Sequence, residues 1–484
     1  MPENRDENLH RSFISLVEIE RDDSVEGGGW VVFDSFADDS DLYRSLDPMY
    51  SALLTLRAPL EKVLKWFPDA MMLDGSWAHI TVEAHCSQDS VPAQVVLFGD
   101  GEESPVVGIL SLSVVDGGWV NHLTSLSMLG HAPRARAGFI AGILDIPLQH
   151  VESLAVAVYD VGQGNCNAIV DEYEHPRIFF DLGWAPNFHR STRPTETPDL
   201  FRCSAHSFAP VVLSHWDMDH WSYAIARSTY DPGSLTTKHE WKDGALNRFW
   251  IARAPEVERH QLGPLALSFY RALTETQLIP GLSAILLWPN DTKRIQFSAG
   301  WLEACSPKDG EPGDRNNSGL AMFVQPNPKT GPILLTGDAD FPSIPSLAIK
   351  RPPALAGMVA PHHGARISSD GVPRPKSDSP AQVVVSVGKG NTYGHPKQDA
   401  IDAYQEFGWL PVLTQNRLNC PRCGGRHLHG NALLRFTVDS PDPQCGCRCV
   451  QAGNLCLLPS SLPKPAPRAG VKRTRSRKRP PVGV

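Results

Sequence analysis

Residues 213–224, LSHWDMDHWSYA, place four metal-ligating side chains, His215, Asp217, Asp219 and His220, within six positions. Two imidazoles and two carboxylates in so short a span form a donor set for divalent cations such as zinc or manganese. The apolar run PVVL precedes them and a helix is expected after them, so the cluster falls where a strand ends. In an extended loop, side chains two positions apart share a side, which lets His215 and Asp217 close on one ion. Asp219 and His220 are offset, enter the expected helix and reach a second ion. Trp216 and Trp221 flank the cluster and would shield it from bulk water. The plainer alternative is a solvated loop in which Asp219 only caps a helix; the full H-x-D-x-D-H pattern at a strand end argues for metal.

One cluster does not complete two metal shells. PILLTGDAD ends a strand at Asp338, a carboxylate placed to bridge two ions. VAPHHGAR sets His362 and His363 at another strand end, before a glycine that permits close backbone approach. Each segment alone reads equally well as a turn. Their order and spacing behind the first cluster give them weight.

The elements that must hold these residues are apolar runs that stop at a polar residue or a glycine. Between about 150 and 440, LAVAVYDVGQG, RIFFDLG, PVVLSHWD, GLAMFVQ, PILLTGD and QVVVSVG all have this shape. Strand ends of this kind favour active sites, because the scaffold is rigid and the loop is exposed. DAIDAYQEFG, 399–408, reads as a helix with an acidic start and a glycine stop. Residues 1–145 carry no chemical motif. WVVFDSF, HITVEA, AQVVLFG and VVGILSLSVV read as strands and PLEKVLKWF as a short helix, which predicts a separate small α+β domain of unassigned role, able to bind a protein partner.

The chain has 484 residues, enough for two or three domains, with 41% hydrophobic and 20% charged residues and a net charge of −8. That balance opposes a surface that binds nucleic acid throughout, while leaving room for one basic groove. No apolar run approaches the roughly 18–20 residues that span a bilayer. The start, MPENRDENLHRSF, is polar and acidic without an apolar signal core, so a cytoplasmic location with no membrane partner is expected.

Of ten cysteines, Cys420, Cys423, Cys445, Cys447, Cys449 and Cys456 crowd the C-terminal end. CPRC has zinc-knuckle spacing, CGCRC follows after about twenty residues, and His427 and His429 lie between. Cys420, Cys423, Cys445, Cys447 and Cys449 are therefore expected to hold a structural zinc, with reduced thiols as the alternative. From about 441 the chain becomes a Cys-rich segment and then the basic tail KPAPRAGVKRTRSRKRPPVGV. That tail reads as disordered, with charge enough to bind nucleic acid nonspecifically or a partner.

Seven motifs, DVGQGN (160–165), FFDLG (179–183), LSHWDMDH (213–220), NNSGLAMFV (316–324), LLTGDAD (334–340), APHHGA (360–365) and SVGKGNTYGHP (386–396), together resemble the metallo-β-lactamase superfamily. The branch they resemble is the ComEC-type hydrolase domain of competence proteins, and the resemblance spans about 155–415. It implies an α/β fold, an αββα sandwich with a binuclear metal site on one edge, and a phosphodiesterase or nuclease activity. The chain departs from the family pattern in three ways. Asp217 stands where a second histidine is usual, which makes manganese more plausible beside zinc. Asn165 replaces an aspartate. No histidine fills the third-motif ligand position, where Asn316, Asn317 and Ser318 stand.

The roles that follow put His215 and Asp217 on one ion, Asp219, His220 and His362 on the other, and Asp338 between them. His363 takes the place of His362 if the HHG turn is read one residue later. A hydroxide between two zinc or manganese ions is the expected nucleophile, oriented by Asp219. Asp181 buttresses the ligand loops. Lys389, Asn391, Tyr393 and His395 lie on a glycine-hinged loop, and the resemblance assigns His395 to the scissile phosphate or the leaving oxygen. Three functions fit this pattern. The first is a metal-dependent phosphodiesterase or nuclease acting on DNA or RNA. The second is a small-molecule ester or cyclic-nucleotide hydrolase of the same fold. The third is a non-catalytic regulatory or adaptor protein. An open, basic channel would mark a polymer substrate.

Overall fold

The apolar runs become the strands of two mixed seven-stranded sheets. In the first, the order is Ile285–Leu287, Trp250–Ala252, Val211–Val212, Pro176–Leu182, Cys166–Val170, Ala155–Val158 and Ala432–Leu434. In the second it is Arg294–Phe297, Gly300–Ala304, Leu320–Val324, Ile333–Leu335, Gly357–Val359, Gln382–Val385 and Leu410–Leu413. Each sheet is parallel over the half that carries the candidate ligands and antiparallel over the other. The computed structural model describes residues 9–21, 28–38, 52–99, 101, 103–115, 117–195, 198–201, 209–256, 260–307, 314–368, 371–377, 381–417 and 430–437. Cys420, Cys423, Cys445, Cys447 and Cys449, the histidines between them and the basic tail lie outside those residues.

Burial on both faces explains why the strands read as continuous apolar runs rather than as alternating ones. Val156, Val158, Ile178, Phe180 and Val212 of the first sheet share one core with Leu302, Met322, Leu335, Val359 and Val384 of the second. On the outer face of the first sheet, Phe179, Val211 and Trp250 meet the helix Pro264–Glu275, whose Phe269 stacks 4.9 Å from Trp221. On the outer face of the second, Val383 and Val385 meet Ala400, Ala403 and Tyr404 of the helix Gln398–Glu406. The layers therefore run helix, sheet, sheet, helix. Among the described residues, no helix is long and apolar enough to cross a membrane.

Where the sequence suggests a small α+β unit, the described residues form a closed six-stranded antiparallel barrel. Its strands are His10–Arg21, Gly29–Ala37, Leu53–Pro59, Ser76–Glu83, Val91–Val95 and Val106–Val114, and pairing of Leu56 with Val95 closes the ring. Phe13, Val17, Phe33, Leu56 and Ile80 fill its interior. Ile14, Leu16, Phe36 and Trp77 point outward, into the core over the first sheet. The barrel also gains a hairpin from the middle of the chain. After the ligand cluster the chain makes two short 3₁₀ turns, Met218–His220 and Ser222–Ala224, in place of the expected helix. It then runs as Ile225–Asp231 and Thr236–Trp241, with Thr237 paired to Leu53 and Leu235 buried in the barrel core.

Asp34 fastens barrel to sandwich. One carboxylate oxygen accepts from Thr55 Oγ1 at 2.9 Å and the other from the backbone N–H of Leu265 at 2.9 Å, in the first turn of the helix Pro264–Glu275. A carboxylate there satisfies an orphan donor and complements the helix dipole. Asp34→Ala is expected to lower stability by about 1–3 kcal/mol. The check is a urea midpoint that falls while the slope of unfolding stays constant.

Candidate metal centre

Three strand ends from the two sheets converge on one edge of the sandwich. The Val211–Val212 strand delivers Ser214 and His215, Ile333–Leu335 delivers Asp338, and Gly357–Val359 delivers the His362–His363 turn. The approach is tight. A Cβ on Gly183 would stand 1.7 Å from the carbonyl oxygen of Asp219, and Gly337, at φ 58°, leaves room for the Ser214 side chain.

Each imidazole is fixed through one nitrogen so that the other faces inward. His220 Nδ1 donates to Asp181 Oδ2 at 2.9 Å. His363 Nδ1 donates to the carbonyl of Ser386 at 2.8 Å. His215 Nδ1 meets Ser214 Oγ at 3.0 Å. Asp181 is the organiser, since it also accepts from the Ser214 N–H at 2.7 Å and from Ser214 Oγ at 2.9 Å. Its backbone sits in the left-handed region at φ 62°, a conformation tolerated where surrounding contacts over-determine it. Asp181, expected behind the ligand loops, contacts His220 and Ser214 here.

The inward atoms form two overlapping groups, His215–His220–Asp338 and Asp219–His220–His363. His220 Nε2 lies 3.1 Å from Asp338 Oδ1 and 3.8 Å from Asp219 Oδ1, and His363 Nε2 lies 3.0 Å from Asp219 Oδ2. His215 Nε2, His220 Nε2 and Asp338 Oδ1 are buried without a hydrogen-bond partner. Buried polar atoms seldom go unpaired, and three that converge as nitrogen and carboxylate donors fit a divalent cation. Charge balance agrees. Burial alone would push the His220 imidazole down, but Asp338, Asp181 and Asp219 outweigh it and hold it well above its ordinary value. Burial would likewise raise Asp338, yet His220 and His362 keep it well below the usual carboxylate range.

The geometry reassigns two expected ligands. His363, and not His362, reaches Asp219; both residues adopt positive φ, and the bond to Ser386 draws His363 inward. His362 is left partly exposed, with Nε2 3.6 Å from Asp338 and its ring stacked on His395. Asp217 belongs to neither ligand group. Its Oδ2 lies 3.2 Å from His215 Nε2, while its Oδ1 pairs with Arg315 Nη1 at 2.8 Å, and Arg315 in turn pairs with Glu18 of the barrel. The third-motif asparagines are hydrogen-bonded to other side chains. Asn316 donates to His362 Nδ1, and Asn317 is bound to Asp314, Asp340 and Ser343.

Asp219, Asp338 and His363 of the centre line an open cleft of about 400 Å³ between the sandwich edge and the barrel. His395 lines it; Lys389 is exposed and does not. Asn391 shapes the loop by accepting from the N–H groups of Tyr393 and His395 and donating to the carbonyls of Gly388 and His395. Burial, with His362 and His363 nearby, pushes His395 down to about 3, so its ring is neutral at neutral pH. Arg57 of the barrel is buried against this loop. It donates to Thr392 Oγ1 at 3.0 Å, pairs with Glu20, and lies over the rings of Trp30 and Phe188. Ser214, Ser386, Arg315 and the barrel residues were missed in the motif reading. Ser214 and Arg315 each directly precede a motif residue, whereas Glu18 and Arg57 carry no local signal.

No family model matches this chain, and no curated protein matches it. Among solved structures it is similar to a mutant of CmlA beta-hydroxylase, at 11% identity and a TM-score of 0.30, over 74% of this chain and 71% of that one.

Proposed function

We propose that this chain is a metal-dependent hydrolase of the metallo-β-lactamase type, acting on a small ester or cyclic phosphodiester. The observation that supports it is the convergence of the buried ligand atoms of His215, His220 and Asp338, with Asp338 lining a cleft. His215, His220 and Asp338 would hold a divalent ion there, which would supply an acidified water and compensation for charge on a substrate oxygen. Asp181 and Ser386 keep the ligating imidazoles in the correct tautomer. His395, neutral and facing the cleft, can hydrogen-bond a leaving oxygen. His395→Ala is expected to keep its metal and lose about 10²-fold or more in rate.

The cleft wall argues for a small substrate over nucleic acid. Opposite the ligands, barrel residues Glu18, Glu20, Asp34 and Asp74 line it, with Arg21 the one cation lining it from the same strands among the described residues. Glu18 and Glu20 are paired with Arg315 and Arg57; where a carboxylate is not offset in this way, a phosphate about 4 Å away meets a repulsion of about 1 kcal/mol in water to about 4 kcal/mol near a protein surface. A polyanion with a charge every 1.7 Å or so would meet that repulsion repeatedly. The test is to incubate the metal-loaded chain with a chromogenic carboxylic ester, a thioester, bis(p-nitrophenyl) phosphate and labelled single- and double-stranded DNA and RNA. Chelator-sensitive turnover of a small ester, with nucleic acid left intact, is the expected result. Comparable cleavage of DNA or RNA would restore the nuclease reading, and a metal-replete chain inert on every substrate would favour a regulatory or adaptor role.

A further inference from the structure

Two four-coordinate shells that take one donor from each residue need more residues than the two ligand groups hold. Both ligand groups contain His220, and its Nδ1 is committed to Asp181, so a single Nε2 lone pair serves both. The distinct ligating residues are His215, His220, Asp338, Asp219 and His363. They can complete one four-coordinate shell and leave a remnant. On the His215 side the carboxylate that would extend that remnant is Asp217; its Oδ2 lies 3.2 Å from His215 Nε2, and a guanidinium already holds its Oδ1. Arg315 reaches Asp217 Oδ1 at 2.8 Å with Nη1 and Glu18 Oε1 at 2.5 Å with Nη2. Arg315 is largely buried, with its side chain 18% exposed, and it lines the cleft beside the ligands. Glu18 comes from the barrel, so the clamp spans both parts of the fold.

We propose that Arg315 takes the place of a second metal ion: it holds Asp217 out of the metal shell, leaving a one-ion centre with a fixed guanidinium beside it. This rests on the metal-centre reading above and refines it. A guanidinium cannot be deprotonated at working pH and presents donors in a rigid fork, so it keeps its charge beside the ion, offset by Asp217 and Glu18. In such a centre the N–H groups of Arg315 not paired with Asp217 and Glu18 would donate to a substrate oxygen on the flank where a second ion would otherwise bind it. Substrates with one anionic oxygen near the scissile bond would suit the pair of an ion and a guanidinium.

The test uses manganese, which hard oxygen and nitrogen donors bind and cysteine thiolates disfavour, so the cysteine-rich segment of the full chain does not confuse the count. Metal-free full-length protein is dialysed against Mn(II), and bound metal is counted while electron paramagnetic resonance reports spin coupling. The expected result is one uncoupled ion per chain in the unaltered protein and a second, exchange-coupled ion in Arg315→Met, which frees Asp217. Arg315→Lys, which keeps a cation there, should stay at one. Asp217→Asn should keep the single ion with less than about a tenfold change in affinity, because a residue outside the shell is not a ligand. Two coupled ions in the unaltered protein would overturn the proposal. So would an Arg315→Met chain that folds, by circular dichroism, and still binds one. If Arg315→Met does not fold, a loss of the ion in Asp217→Asn overturns it equally. Absence of any bound ion in the unaltered chain would overturn the metal-centre reading itself, an outcome distinct from finding two.

Discussion

Replacing His220 with alanine is expected to abolish metal binding and, with it, all metal-dependent turnover. His220 is the one residue common to both ligand groups, and its Nε2 faces Asp338 and Asp219 while Nδ1 holds Asp181. A residue behind a ligand accounts for about 10–100-fold in metal affinity. Loss of the shared ligand should exceed that, at about 10³-fold or more. The metal-free chain should also suffer, because removing one partner of a buried charge pair costs about 3–5 kcal/mol. The pH dependence of the unaltered, metal-free chain gives an independent check. Carboxylates hold His220 and His363 above their ordinary value despite burial. A histidine raised in the folded state contributes stability that is complete below about pH 6.5, its unfolded value, and is lost as pH rises through the folded value. Metal binding runs the other way, since ions compete with protons for the same nitrogens. Thermal scans should therefore show the metal-free midpoint falling above about pH 6.5 and the gap between loaded and metal-free chains widening. A His220→Ala chain that takes up manganese as tightly as the unaltered protein would place the ion elsewhere.

Asp181→Asn should be nearly as damaging, through a proton rather than through shape. Asparagine tolerates the left-handed backbone of this position, so strain does not confound the comparison. Its carbonyl oxygen can still accept from the Ser214 N–H, which leaves the amide NH₂ facing His220 Nδ1. An NH₂ there donates where the carboxylate accepted. The imidazole must then carry its proton on Nε2, the atom that should bind the ion. Metal affinity is expected to fall by about 10–100-fold, with the tautomer visible as a proton on Nε2 in nitrogen-15 spectra of the histidines. Unchanged affinity together with an Nε2-protonated ring would show that His220 is not a ligand.

The ligand loops were legible because each ends an apolar run, and that pattern depends on local sequence alone. His215, Asp219, His220 and Asp338 converge as their positions suggest. The choice between His362 and His363 was not legible, since it turns on consecutive positive-φ residues and on a carbonyl, Ser386, in a different strand loop. Asp217 read as a ligand because its cationic partner lies 98 positions further on at Arg315, braced by Glu18 from the other end of the fold. The barrel was hidden by its own packing. In HRSFISLVEIER the central FISLV is buried on both faces, so the period-2 alternation that announces a surface strand is missing. The expected helix after the cluster gives way to two short turns, whose Trp221 and Tyr223 fill the core over the first sheet before the chain runs on as a hairpin to the barrel.

During synthesis the barrel strands are complete at Val114, but the residue that plugs their core, Leu235, is made 121 positions later. At about 5–20 residues per second that interval is roughly 6–24 s. For that time a nascent barrel carries a gap in its interior and leaves Leu53, at the end of the strand Leu53–Pro59, without its partner Thr237, and an uncovered strand end invites association between neighbouring chains. The plug arrives just behind His215, Asp217, Asp219 and His220, so the ribosome delivers the ligand cluster and the stopper of the barrel almost together. A slow-translating stretch or a bound chaperone between Val114 and Leu235 would lengthen the window of risk, and deleting the hairpin would make it permanent.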